Sequence, residues 1–385
     1  MRVFLLALCA IAMLSVGCSS SRSSKRENVA PPAELTDFAP QIQVRELWSG
    51  KVGGGEGKTG LRQRVAIDGR VVFTSDQSGD VQALDLDTGR QLWRRETGLR
   101  VSSSPAAGES TLVVATLDGQ VLALNPDNGD ERWRATVSSE VIAQPAISRG
   151  LVVVRVNDGR VFAFSATDGE RRWVYDRGIP ALTLRGNSAP EVADGRVYLG
   201  YDGGQVVALN LETGAQVWEQ VVAVGEGRTE LDRMVDVDGA LVVDGGQIFA
   251  ASFRGQAIAI DSISARPLWN REISSYAGVV SAAGQLLTVD DQGTLWSLDR
   301  STGSAMWKQD VLSHRWLSAP AVQSNYALVG DLEGYVHWFS LTDGALVARA
   351  QLGDEAIVAS PVVSADGVAV VVSTSGKIAA YRLGD

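Results

Sequence analysis

Residues 103–135 read SSPAAGESTLVVATLDGQVLALNPDNGDERWRA. A short strand around 104–107 turns at Gly108, and the run 112–116 turns at Asp118-Gly119. A third strand over 121–125 meets an Asp-Asn-Gly turn, and a fourth over 131–135 carries Trp133. Short β-branched and apolar runs divided by Asp-Gly turns at this spacing read as antiparallel strands in an all-β array. The two middle runs are almost wholly apolar, which suits strands covered on both faces by neighbouring sheets.

The same unit recurs along the chain. Tryptophans stand at Trp48, Trp93, Trp133, Trp173, Trp218, Trp269 and Trp307, at gaps of 45, 40, 40, 45, 51 and 38 residues. Most follow a turn of one pattern: LDLDTGRQLW, LNPDNGDERW, FSATDGERRW, LNLETGAQVW, LDRSTGSAMW, with IDSISARPLW a degenerate copy. FSLTDGALVA is an eighth copy, read with Val347 in the tryptophan place. A four-stranded unit repeated at this period is a propeller blade. Three-strand groups begin near Arg64, Ser104, Gln144, Ala189, Ala240, Ser281, Ala319 and Ser360, which makes eight. The last lacks a fourth strand, and VRELWSGKV at 44–52 is a fourth strand without a group. The fold expected is an all-β, eight-bladed β-propeller closed by pairing of the N- and C-terminal strands. A large side chain at a fixed outer-strand position packs blade on blade. The charged outer strands (RRET, DERWRA, GERRW) guard exposed edges against stray pairing.

Composition excludes several classes. The chain has 385 residues, 45% apolar and 21% charged, enough for a sizeable core. Its 45 Asp and Glu outnumber 35 Lys and Arg, so a nucleic-acid backbone would be repelled overall. The cysteines are Cys9 and Cys18, so the body holds no disulfide and no Cys-ligated metal. Two histidines, His314 and His337, cannot make a three-His zinc site, though a mixed site with carboxylates stays open.

The first residues read as an address. Arg2 precedes an apolar run to about Val16, the form of a secretory signal and short for a membrane span. The other reading is a short hydrophobic anchor. LSVGCSS around Cys18 resembles the lipobox of bacterial lipoproteins, departing from it in having Ser15 where Leu is usual. Cleavage before Cys18 would free it for acylation, and several acyl chains hold a domain at a membrane stably. Ser19 resembles the pattern sorted to the outer membrane. The organisation expected is a signal peptide over 1–17, a lipidated cysteine and flexible Ser- and Pro-rich tether over 18–40, and the propeller over 41–385.

Two patterns mislead. GGGEGKTG at 53–60 suggests a phosphate loop, but the position that must be glycine is Val52 and no helix follows; with GEGRT at 225–229 it reads as a blade connector. The Asp-x-x-Thr-Gly-x-x-x-Trp repeat resembles the pyrroloquinoline-quinone-type propellers of bacterial alcohol dehydrogenases. Those enzymes use an adjacent cysteine pair and a calcium, and this chain has no cysteine after Cys18. No catalytic residue, no cofactor and no metal is expected; a periplasmic quinoprotein-type dehydrogenase is the alternative to a non-catalytic scaffold.

One connector departs from the repeat. From Trp93 to Pro105 and from Trp133 to Pro145 are 12 residues, but from Trp173 to Pro190 are 17. The added length, in GIPALTLRGNSAP at 178–190, carries Leu182, Leu184 and Arg185. The next connector of the same kind is longer still, GEGRTELDRMVDVDG at 225–239, and carries Asp236 and Asp238. Both lie on one face, on adjacent blades. Two readings stand: a protein-docking patch with apolar anchors and charged orienting groups, or leucines folded onto the blade with Arg185 paired internally to the acids.

Taken with the lipobox, tether and eight blades, the segments LTLRG-x-SAP (182–190), TELDRMVDVDG (229–239) and EGYVHW (333–338) resemble the BamB family of lipoproteins of the outer-membrane β-barrel assembly machinery. The resemblance covers nearly the whole chain. It implies a non-catalytic component that binds the periplasmic POTRA domains of BamA, with Leu182, Leu184, Arg185, Asp236 and Asp238 as partner-binding residues and Cys18 as the lipidation site. It implies residence at the outer membrane, lipid-anchored and facing the periplasm. Unfolded outer-membrane proteins stay open as a second class of partner.

Overall fold

The computed structural model describes residues 30–56, 59–178, 188–224, 235–237 and 239–384. Met1–Pro31 and Pro32–Asp385 are separate compact units, and among the described residues every strand belongs to the second.

The quoted repeat is the second blade. Its strands are Ala106–Gly108, Thr111–Ala115, Gln120–Leu124 and Glu131–Thr136, hydrogen-bonded in that order. The first turn falls at Glu109-Ser110 rather than at Gly108, with φ of 48° and 57°. Such a two-residue turn needs positive φ at both central positions and usually takes Asn or Gly. Here Glu109 serves the next blade instead: its carboxylate accepts from the amides of Arg149 and Gly150, both at 2.7 Å.

Eight four-stranded antiparallel sheets are present, as expected. Blade 1 begins at Ala66–Asp68, blade 3 at Ala146–Ser148, blade 4 at Glu191–Ala193 and blade 5 at Val242–Asp244. Blade 6 begins at Val279–Ala282 and blade 7 at Ala321–Gln323. Blade 8 joins Val362–Val363, Ala369–Val372 and Lys377–Leu383 to the N-terminal strand Val44–Lys51. That pairing runs from Val44↔Leu383 to Lys51↔Lys377, with a bulge between Glu46 and Trp48. Innermost strands of successive blades adjoin all round, blade 8 to blade 1 included, so the ring is closed. The core is a series of apolar layers between blades, such as Val113, Val121, Val152, Val154, Phe162 and Phe164 between blades 2 and 3.

The seven repeat tryptophans clamp each blade to the next. Each indole Nε1 donates to a carbonyl in the following blade's outer turn, as Trp133 does to Ala166 at 2.9 Å and Trp48 to Leu86 at 2.7 Å. In six of the seven the ring lies on the glycine of that turn: a Cβ on Gly169, at φ 73°, would stand 2.7 Å from the Trp133 ring. Glycine suits the position for two reasons, the left-handed turn and the indole above it; the exception is the degenerate copy under Trp218, where Ala265 takes the place at φ 60°.

Blade 7 corrects the reading of Val347. Across the bulge, Trp133 pairs with Ala123 and Trp218 with Ala208, whereas in blade 7 Trp338 pairs with Ala348. The tryptophan place is Ala348, and the indole has moved to the neighbouring strand. The reason is topological. In blade 8 the outermost strand is the N-terminal one, so no outer turn joins Leu383 to Val44. An outer tryptophan on blade 7 would have neither turn carbonyl nor glycine beneath it. Trp338 instead donates to Gln323 Oε1 at 2.8 Å and meets Tyr381 edge-on at 5.7 Å.

Candidate functional site

Among the described residues, the ends of the connectors from one blade's outer strand to the next blade's inner strand lie on one face. Around the axis they frame a cavity of about 460 Å³. Its wall includes Arg64, Ser104, Gln144, Ala189, Ala240, Ala319 and Ser360, seven of the eight residues near which the three-strand groups begin. Arg64 Nε donates to Gln144 Oε1 at 2.9 Å. Burial lowers the Arg64 pKa and raises that of Glu191, each opposed by the other's charge.

The two enlarged connectors spring from a braced base. Arg155 ends a strand that is otherwise apolar and is wholly buried. Its Nη1 donates to the carbonyl of Ser188, where the first long connector rejoins the fold, and to that of Gly200. Its Nη2 lies 4.0 Å from the Asp202 carboxylate. Arg177, at the start of the same connector, makes a bidentate pair with Glu219 of blade 4, both contacts at 2.8 Å. The Tyr201 ring lies between the two guanidiniums, 4.5 Å from Arg155 and 4.9 Å from Arg177. Burial pushes the Tyr201 hydroxyl up to about 12, against the pull of Arg155. The hydrogen bond from Arg177 holds Glu219 below the ordinary carboxylate range, and Glu219 raises Arg177.

Asp236 belongs to this base. It bridges Asp202 across the blade 4–blade 5 junction and is 2% exposed. Its Oδ1 accepts from the Gly203 amide at 3.3 Å, and its carbonyl from the Phe253 amide at 2.9 Å. Of the five expected partner-binding residues, Asp236 alone is described; Leu182, Leu184, Arg185 and Asp238 lie outside the described residues, as does Cys18. Sequence reasoning missed Arg155, Arg177, Tyr201 and Glu219. The legible signal was Arg155, a charge inside the apolar run LVVVRV.

The GGGEGKTG segment is the connector from blade 8 to blade 1. The Gly54 amide donates to Asp76 Oδ2 at 2.8 Å, and buried Glu56 accepts from the Gln63 amide at 2.9 Å. Gly55 packs against the Thr374 and Gly376 backbone too closely for a Cβ. Among the described residues no three His, Cys, Asp or Glu are gathered as metal ligands.

The family described as "Outer membrane protein assembly factor BamB" matches residues 77–309. A relative of that name from Pseudomonas aeruginosa is 48% identical over 377 residues, covering 98% of each chain. The chain belongs to the BamB family. Another BamB, from Xanthomonas campestris pv. campestris, is 44% identical over 398 residues, 99% of this chain and 97% of that one. The crystal structure of BamB from Moraxella catarrhalis superposes with a TM-score of 0.81 at 24% identity, over 88% of this chain and all of that one. The eight-bladed fold is therefore shared with a solved BamB.

Proposed function

We propose that this protein is a non-catalytic scaffold of outer-membrane protein assembly, anchored by lipid at Cys18, facing the periplasm and docking on the POTRA domains of BamA. The observation that carries the reading is the braced base at blades 3–5, set beneath two connectors that exceed the repeat length, in a chain whose relatives are named outer-membrane protein assembly factors. A rigid base lowers the ordering cost of binding for the loops it carries. Leu182 and Leu184 supply apolar anchors, and Arg185 and Asp238 set orientation by charge. Asp236, being buried, contributes by holding its connector in place. Residues 1–17 serve as the signal peptide and are removed.

Three experiments test this. Co-purification from detergent-solubilised membranes should recover the barrel protein with the wild-type chain. Cys18→Ser should release the chain into the soluble periplasmic fraction without acylation. Recovery of Cys18→Ser with lipid in outer membranes would overturn the anchor, and a quinone cofactor bound stoichiometrically on titration would overturn the non-catalytic reading.

A further inference from the structure

EGYVHW at 333–338, absorbed by no role above, ends in a buried charged cluster on blade 7. Blades 2–5 place Leu122, Phe162, Val207 and Ile258 where this blade has His337. Asp331 Oδ1 caps the turn, accepting from the amides of Glu333 and Tyr335 at 2.9 and 3.0 Å. Its Oδ2 faces Arg315 Nε at 2.8 Å and His337 Nε2 at 3.0 Å. Arg349 Nε donates to His337 Nδ1 at 3.2 Å, so the imidazole is neutral with its proton on Nε2. Arg315 also pairs with Glu333.

The cations of this cluster have donors left over, and these hold the chain's own N-terminal segment. Arg315 Nη1 donates to the Ala33 carbonyl at 2.9 Å, and Arg349 Nη1 to the Thr36 carbonyl at 3.2 Å. The Arg349 guanidinium lies 5.2 Å over the Phe38 ring. The Ala33 amide donates to the Ser313 carbonyl at 2.9 Å and the Gln41 amide to that of Val347 at 2.8 Å. Leu35 packs against the apolar layer between blades 6 and 7 that includes Phe339 and Leu341. The segment enters on the connector face beside Ser313, passes down the outer strand of blade 7, and reverses into Val44–Lys51.

We propose that the Arg315–Asp331–His337–Arg349 cluster is a clasp for residues 33–38, which fixes where the N-terminal leader joins the propeller. Resting on the Cys18 anchor proposed above, the consequence is a shorter leash that starts on the connector face. Fourteen residues from Cys18 to Pro32 reach at most about 50 Å, whereas a tether free to residue 41 would reach about 80 Å. The leader then leaves the propeller from the connector face, beside Ser313.

The test is amide hydrogen exchange on the full chain. Wild type should protect the amides of Ala33 and Gln41 at least tenfold over an unstructured peptide. Arg349→Ala, which leaves the Asp331–His337 contact in place, should abolish that protection over 33–41 with the blade amides unchanged. Ala33→Pro, which deletes one donor from the segment itself, should do the same at its near end. Wild-type amides over 33–41 exchanging at the unstructured rate would overturn the clasp, and so would unchanged protection in both variants. Cys18→Ser gives the same readout, so failure of the anchor and failure of the clasp are told apart.

Discussion

The tryptophan clamp makes a double-mutant cycle at Trp133 and Gly169 informative. Trp133 is 7% exposed, and truncation of a buried Trp to Ala costs roughly 3–5 kcal/mol. Loss of its Nε1 donor leaves the Ala166 carbonyl unpaired, adding about 1 kcal/mol. Gly169→Ala costs about 1–2 kcal/mol for a left-handed non-glycine residue. Because its Cβ would stand 2.7 Å from the ring, displacement of the indole adds about 1–3 kcal/mol. Without the indole that second contribution vanishes. The double variant should therefore be more stable than the sum of the singles by about 1–3 kcal/mol. Urea unfolding followed by circular dichroism measures this, with midpoints compared at equal m-values. Additivity within about 0.5 kcal/mol would refute the clamp and leave the glycine to backbone conformation alone.

Other consequences follow from the seam and from blade 7. Deleting residues 41–52 removes Trp48 and bares the edge at Lys377–Leu383, so thermal stability should fall sharply, while deleting 19–29 should leave it unchanged; equal stability of the two would remove the case for a seam built from both termini. Burial lowers the His337 pKa, with the Asp331 carboxylate opposing it and Arg349 and Arg315 adding to it; Glu333, Tyr335 and Asp37 are the remaining titratable groups around this cluster. Below the ordinary histidine value near 6.5 the unfolded chain therefore takes up a proton that the folded chain resists. Unfolding free energy should fall as pH drops from 7 towards 5, and His337→Gln should flatten that slope; an unchanged slope would place its origin elsewhere.

The blades were legible because most repeats state their outer turn twice, in glycine and in tryptophan. The seam was legible from two unpaired remnants. The displaced indole was not: counting misplaced the eighth outer-strand copy by one residue, and the reason for Ala348 lies in blade 8, whose outermost strand comes from the N-terminal part of the chain. Residues 32–40 read as tether because Pro and polar residues dominate there, while the groups that hold them, Arg315 and Arg349, are supplied by a connector and a strand distant in sequence. The base of the enlarged connectors was half legible. Arg155 broke an apolar pattern, but Arg177 and Glu219 looked like ordinary surface charges until the topology set them side by side. Asp236 and Asp238 looked equivalent in DVD, yet the bridge to Asp202 places Asp236 inside.

The central claim is that the enlarged connectors dock the protein on its partner. Calorimetry with the purified POTRA domains of the barrel protein tests it, using wild type, Leu184→Ala, Arg185→Ala and, as control, Arg100→Ala. Arg100 is an exposed residue of the connector from blade 1 to blade 2, paired only with Asp118 at the surface. Truncating an interface hot spot costs about 2 kcal/mol or more, roughly thirtyfold in Kd. Folded Leu184→Ala and Arg185→Ala should bind at least thirtyfold more weakly, with Arg100→Ala unchanged; wild-type affinity in both would contradict the claim and put the docking face elsewhere.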